Sequence, residues 1–199
     1  MKKLYSILMM GALVVLLSSC NLFGLELQRD AEYNYSPVQL TMDITAYEFI
    51  ETRRNMDMFL LYKAIEKAGY REAFETNDRT YIVLNDDALS AYLSSKRFTG
   101  LDAMSVTQIR EMLDTYIIKG CYHALDLSTT PLEVEILNPK TRMFLSLRPQ
   151  ASDVSDQYQV IINNVTGSGK VTNVVTSNLR PTNGVIHVVG DFPEYIVPE

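Results

Sequence analysis

The segment Thr176-Ser177-Asn178-Leu179-Arg180-Pro181-Thr182-Asn183-Gly184-Val185-Ile186-His187-Val188-Val189 is the most informative part of this 199-residue chain. It predicts a turn followed by a buried strand, with Asn183 and Gly184 supplying the positive φ angles of a tight turn. The strand is apolar and β-branched except for His187. Because burying an ionisable ring without a partner is costly, His187 requires an explanation.

Two explanations are open for His187. In the functional one, the ring is a general base or a metal ligand. In the structural one, its two nitrogens bridge backbone groups and hold the last strand to its neighbours. No matching metal ligands accompany it, which favours the structural explanation. The other histidine, His123, is expected on the surface.

The N-terminal residues form a separate unit of sequence. Two lysines precede an almost wholly apolar run from Leu4 to Leu17, and Leu17-Ser18-Ser19-Cys20 ends it. This pattern resembles the lipobox of bacterial lipoproteins, in which the chain is cut before the cysteine and the thiol is acylated. The resemblance implies a signal peptide over residues 1–19, lipid attachment at Cys20 and a tether over residues 20–40. An uncleaved membrane anchor and an ordinary signal peptide are the alternatives.

The chain carries a net negative charge. The formal net charge is -6, and cleavage before Cys20 would remove two lysines and no acid, giving 16 minus 24, or -8. No basic cluster is present, which argues against nucleic acid as a partner, since that affinity comes mainly from Lys and Arg on phosphates. An acidic protein should also stand off an anionic membrane surface rather than lie on it.

Periodicity predicts helices first and strands later, which is typical of an α+β fold. The predicted helices are Thr41–Arg54, Asn55–Ala68, a short helix opened by Asn85-Asp86-Asp87, and a helix from Ser105 to about Tyr116. The predicted strands are Thr80–Leu84 and, after Gly120, Leu132–Leu137, Arg142–Leu147, Gln157–Asn163, Lys170–Thr176 and Gly184–Val189.

Three blocks of sequence resemble the fasciclin-like domain family, in the family's order. They are Thr80-Tyr81-Ile82-Val83-Leu84-Asn85-Asp86-Asp87-Ala88-Leu89, Leu113-Asp114-Thr115-Tyr116-Ile117-Ile118-Lys119-Gly120 and Asn183 to Val189. The resemblance covers residues 41–199. It implies N-terminal helices packed on a wedge or sandwich of mostly antiparallel strands. The residues that it marks as structural are Asn85, Asp86, Tyr116, Asn183, Gly184 and His187.

Two positions depart from the family's pattern. Leu84 stands where the family often has Pro, and Ile117 stands where it has the His of a Tyr-His pair. That pair has been linked to receptor-mediated adhesion in animal members. Only Tyr116 remains here, so this specific adhesion mechanism is not expected of the chain.

The sequence offers little reactive chemistry. Asn85-Asp86-Asp87 has too few oxygen ligands for a calcium loop, and helix capping explains it better. Cys121 lies in an apolar context, which predicts a buried, inert thiol, with a reactive or intermolecular thiol as the alternative. Phosphate-loop, nucleophile-elbow and zinc-protease motifs are missing. We therefore expect no metal, no cofactor and no enzymatic activity.

These observations predict a lipid-anchored binding or adhesion module of a bacterial cell envelope, at the outer membrane. The expected partner is an envelope or extracellular protein or a glycan. A structural subunit of a larger envelope assembly is the alternative. A hydrolase using His187 is the third hypothesis, and it would require that ring in an open cleft.

Overall fold

The computed structural model describes residues 41–148 and 159–196. The predicted signal peptide, the tether, Cys20 and the start of the predicted strand Gln157–Asn163 lie outside these ranges, and they remain predictions. The described ranges contain four α-helices and nine strands. The helices are α1 (Ala46–Thr52), α2 (Phe59–Ala68), α3 (Asp86–Ser95) and α4 (Val106–Thr115).

Local capping sequences set where the helices begin and end. The Thr45 side chain accepts a hydrogen bond from the Glu48 N–H, and the Glu48 carboxylate accepts one from the Thr45 N–H. Ser105 and Gln108 form the same reciprocal pair at the start of α4. Helix α2 ends at Gly69, which has φ 57 and ψ 47, a left-handed conformation that glycine adopts without strain. The start of α4 and the end of α2 agree with the predictions from sequence, whereas α1 begins at Ala46 rather than at Thr41 and α2 begins at Phe59 rather than at Asn55.

The strands form one large sheet and one small one. The seven-stranded sheet has the order β2-β1-β8-β7-β5-β4-β3, and β6 pairs with β9. Among the nine described strands, β1 and β8 pair in parallel and the other pairs are antiparallel. The strands are β1 (Arg79–Leu84), β2 (Ile117–Lys119), β3 (Leu132–Val134), β4 (Met143–Leu147), β5 (Val160–Ile162), β6 (Gly169–Lys170), β7 (Thr172–Leu179), β8 (Gly184–Val189) and β9 (Glu194–Tyr195).

The two edges of the large sheet meet. Ile118 of β2 forms an antiparallel bridge with Ile136, which follows β3. The Leu137 N–H donates to the Ile117 carbonyl at 3.0 Å. Strand β2 was missed because, apart from Thr80–Leu84, strands were expected only after Gly120. Ile117 and Ile118 of β2 are β-branched and fully buried. They pair with β1, and this strand begins immediately after α4.

Strand β8 lies inside the sheet and is buried on both faces. Val185 to Val189 are all buried, including His187. Helix α1 contacts β8, α3 contacts β1, and α4 contacts β2. The helices therefore cover the β2-β1-β8 part of the sheet, and the hydrophobic core lies between them.

Gly184 is required for a reason other than the predicted one. Neither Asn183 nor Gly184 has a positive φ angle. Gly184 is instead paired with Arg79 in the parallel ladder, where an added Cβ would lie 2.0 Å from the Arg79 carbonyl oxygen. The close approach of two backbones excludes a side chain here. The tight-turn prediction was therefore correct in position and wrong in backbone conformation.

Candidate binding site

Asn183 ties four parts of the chain together from a buried position. Its Oδ1 accepts a hydrogen bond from the Ala46 N–H of α1 at 2.9 Å. Its Nδ2 donates to the Phe74 carbonyl at 2.9 Å and the Thr76 carbonyl at 3.1 Å, and contacts the Tyr81 hydroxyl at 2.9 Å. Since Asn183 is 4% exposed, these bonds replace the water that it loses on folding.

His187 bridges two backbone groups. Its ring is fully buried, with Nε2 2.9 Å from the Tyr122 carbonyl and Nδ1 3.4 Å from the Asn178 N–H. A carbonyl accepts and an N–H donates, so the ring is neutral with its hydrogen on Nε2. Burial lowers the pKa of His187 to about 4, although the bond to Tyr122 opposes the shift. Without solvent access, the ring has no route to a substrate, and the open cleft that the hydrolase hypothesis requires is not formed around it.

Asn85 and Asp86 each cap a different helix. Asn85 Oδ1 accepts from the Ala88 N–H at 2.9 Å and starts α3. Asp86 Oδ1 accepts from the Leu60 N–H at 2.8 Å, in the first turn of α2. Within residues 41–148 and 159–196, no three His, Cys, Asp or Glu side chains are grouped as metal ligands would be.

We expect Asp86→Ala to lower the free energy of unfolding by about 1 kcal/mol, because Leu60 loses its cap. Asp87→Ala is the matched control, since Asp87 lies in the same first turn and has no such bond. Asp86→Asn keeps an acceptor oxygen and should recover most of the loss. Urea unfolding of the three variants measures this, and equal losses for Asp86→Ala and Asp87→Ala would contradict the assignment.

The prediction of a buried Cys121 was wrong. The side chain is exposed, and its Sγ lies 3.9 Å from the Arg79 carbonyl oxygen. Strand β2 ends at Lys119, so Cys121 lies in the loop beyond the sheet, outside the apolar neighbourhood that its sequence context suggested. Partial desolvation, followed by the charges of Asp78 and Asp126, raises the pKa of the thiol. The group is therefore accessible but weakly nucleophilic at neutral pH.

Cys121 should react with a maleimide in the folded protein, because the side chain is exposed. The rate at pH 7 should be lower than that of a free cysteine peptide and should approach it at higher pH, since the raised pKa leaves less thiolate. Mass spectrometry of the labelled peptide locates the adduct, with Cys121→Ser as the control. A reaction that requires denaturant would show that the thiol is buried.

A surface groove lies above Tyr116. The Tyr116 ring is 5% exposed, and its hydroxyl donates to the Pro193 carbonyl at 3.2 Å. Two cavities of about 160 and 330 Å³ adjoin there, and the smaller one has Tyr116 in its lining. They adjoin, because they share four lining residues, Tyr92, Lys96, Thr115 and Asn138, and the two together are called the groove.

Contacts with neighbouring side chains, some of which also line the groove, hold its aromatic rings. The Tyr195 ring lies 5.4 Å from the Phe144 ring, with the Arg142 guanidinium 5.5 Å from its centre. The Tyr92 ring meets Phe192 edge-on at 5.6 Å. Both tyrosines remain half-buried, so part of each ring is open to a ligand. Burial raises the pKa of Tyr92, which keeps its hydroxyl protonated as a hydrogen-bond donor at neutral pH.

Sequence reasoning marked Tyr116 but missed the rest of the groove. Its walls come from α3, α4, the segment before β4, and β9, which are far apart in the chain. These residues lie far apart in the sequence and become neighbours only when the sheet closes. No sequence motif of fixed spacing could therefore have predicted the groove. The other marked residues, Asn183, His187, Asn85 and Asp86, lie in structural contacts and line neither cavity.

Comparison with known proteins finds one family profile and several solved structures. A sequence profile described as the Fasciclin domain matches residues 57–192. A solved structure of a FAS1 domain pair from the insect cell adhesion molecule Fasciclin I superposes with a TM-score of 0.52 at 16% sequence identity. The match covers 69% of this chain and 45% of that one, so it spans less than half of the insect domain pair. A search of curated protein sequences finds no significant match.

Proposed function

The chain belongs to the fasciclin domain family, and on that premise we propose that it is a lipid-anchored binding module of a bacterial cell envelope. Domains of this family are generally adhesion modules. The similar insect structure comes from a cell adhesion molecule, and a binding role extends that property to this chain. The partner is another surface protein or a glycan, held in the groove above Tyr116.

The groove is the observation that carries the binding role. It is concave, its rings are held by neighbouring side chains, and polar groups converge on it, as in preformed ligand sites. Neither His123 nor His187 lines the groove, and both ring nitrogens of His187 are hydrogen-bonded to backbone groups. The chemistry of the groove therefore suits holding a partner without transforming it.

The lipid anchor is supported by the sequence alone. The basic start, the apolar run and Leu17-Ser18-Ser19-Cys20 lie outside the described ranges. Among the described residues, no helix has the length and apolar character needed to cross a bilayer. A lipid on Cys20 would attach the domain to the outer membrane through several acyl chains, each buried methylene adding about 0.8 kcal/mol.

Palmitate labelling of cells that express the full chain tests the anchor. We expect incorporation into the wild type, none into Cys20→Ser, and release of that variant from the membrane fraction. Labelling that persists in Cys20→Ser, or membrane attachment without any label, would contradict lipidation at this residue.

Capture of envelope components tests the binding role. The purified full-length protein should retain a specific protein or glycan, and Tyr92→Ala combined with Tyr195→Ala should abolish retention. Tyr62→Ala is the control, since Tyr62 is a half-buried tyrosine on α2 that lines neither cavity. Retention of nothing by the wild type, or equal retention by the groove variant, would count against the proposal.

A further inference from the structure

We infer that the ligand of the groove is a short neutral oligosaccharide. This inference rests on the proposed binding function and names the class of partner. It is carried by three features of the groove: the pairing of its charges, its half-buried aromatic rings, and its unused polar groups.

The charged side chains of the groove neutralise one another. Four ionised side chains line the two cavities, namely Lys96, Glu111, Arg142 and Glu194. Lys96 pairs with Glu194 across the groove, Glu111 pairs with Lys140, and Arg142 pairs with Glu133. Because each of these cations already has a carboxylate partner, an anionic ligand would lose hydration in the groove without gaining an unpaired cation, whereas a neutral ligand loses no such hydration. The groove therefore disfavours anions such as acidic sugars or acidic peptides.

The aromatic rings suit the apolar faces of sugar rings. Tyr92 and Phe98 lie on the α3 side of the groove, and Tyr195 lies on β9. All three are half-buried, so each presents a partly exposed ring to the groove. A tyrosine or phenylalanine ring offers a large apolar contact that loses little entropy on binding.

Polar groups beside these rings remain available to hydroxyls. Gln108 Oε1 accepts from the Ser105 N–H, and within the described residues its Nε2 has no partner. Thr141 Oγ1 is likewise unbonded within that part of the chain. Asn138 Nδ2 donates to Thr115 Oγ1 at 2.9 Å and to the Glu111 carbonyl at 3.2 Å, so Asn138 offers a ligand only its Oδ1, which accepts the Lys140 N–H and has a second lone pair. Amides and hydroxyls of this kind both donate to and accept from sugar hydroxyls.

The size of the groove fits a short glycan better than a protein surface. Cavities of about 160 and 330 Å³ accommodate roughly two linked sugar rings. A stable protein interface needs about 800 Å² on each partner, which is usually supplied by a flatter surface.

The test uses the full-length protein and a panel of neutral di- to tetrasaccharides built from glucose, mannose, galactose or xylose, each beside a uronic-acid counterpart. Titration calorimetry should find a neutral member that binds, with its acid counterpart at least tenfold weaker. Tyr195→Ala should weaken binding at least tenfold, and Tyr62→Ala should leave it unchanged.

Gln108→Glu separates binding from folding. A glutamate keeps the acceptor that caps α4 and completes a Ser-x-x-Glu capping box, so the unfolding midpoint should not fall. It replaces the free amide donor with a carboxylate, so sugar affinity should fall at least fivefold. Unchanged affinity in both Gln108→Glu and Tyr195→Ala, or preference for the acidic sugars, would overturn the inference.

The outcomes also distinguish this inference from the broader proposal. If no oligosaccharide binds but an envelope protein is captured through the groove, the inference of a glycan ligand is wrong and the proposed binding function is retained. If neither a sugar nor a protein binds, both fail.

Discussion

Asn183→Ala is expected to lower the free energy of unfolding by about 4 kcal/mol, the largest loss from any single substitution considered. Four polar groups would each lose a hydrogen bond, in a site that is almost closed to water. The Tyr81 hydroxyl and the Thr76 carbonyl keep the bond between them, so the Ala46 N–H and the Phe74 carbonyl suffer most. Each buried group left unsatisfied costs about 1–3 kcal/mol, and some would regain a water in the space vacated. The loss approaches the whole stability of many single domains.

Two further substitutions make the Asn183 prediction specific. Asn183→Asp keeps the acceptor for Ala46 but directs a carboxylate at two backbone carbonyls, so it should be no more stable than the alanine variant. Asn77→Ala removes an exposed asparagine just beyond the Thr76 carbonyl and should change stability by less than about 0.5 kcal/mol. Urea unfolding followed by circular dichroism measures all three. A loss below about 1.5 kcal/mol in Asn183→Ala would show that water replaces the amide without difficulty.

The parts of the fold that could be predicted depend on residues close together in sequence. Thr45 with Glu48, Ser105 with Gln108, and the glycine after Ala68 are local signals, and each helix end follows from them. The α+β class and the last strand were likewise correct. Strand β2 was missed because three residues are too few to show an alternation of apolar and polar side chains. They form a strand because they pair with the neighbouring strand β1.

The roles of individual residues were harder to predict than the elements that contain them. Gly184 was assigned to a positive φ angle, whereas its requirement comes from Arg79, a residue more than a hundred positions earlier. Cys121 was placed in the core from its apolar neighbours, although the chain leaves the sheet two residues before it. The groove depends on four distant elements, so only its floor, Tyr116, carried any signal in the sequence.

Acidification from pH 7 to about pH 4 is expected to remove about 3 kcal/mol of stability through His187. The pKa of His187 is about 4 in the folded protein, and its ordinary value is 6.5. Between these two pH values His187 is protonated in the unfolded chain and neutral in the folded chain, so the free energy of unfolding falls as the pH falls. The contribution is present above pH 6.5 and is mostly lost at pH 4. The difference of about 2.5 pH units, at about 1.4 kcal/mol each, corresponds to about 3.5 kcal/mol in full, of which about 3 kcal/mol is lost at about pH 4, where half of the folded molecules carry the proton.

The His187 contribution can be separated from that of the carboxylates by difference. Carboxylates titrate in the same range in every variant, so the pH dependence of the wild type minus that of His187→Gln isolates the ring. Burial also lowers the pKa of His123, so His123→Gln is the necessary second subtraction. In case His187→Gln fails to fold, nuclear magnetic resonance of the two histidines gives an independent measurement. The His187 signal should show the hydrogen on Nε2 and remain unchanged down to about pH 5. A His187 that titrates near pH 6.5 in the folded protein would mean that its two backbone bonds do not hold the neutral ring, and that the closing strand is fixed by its apolar residues alone.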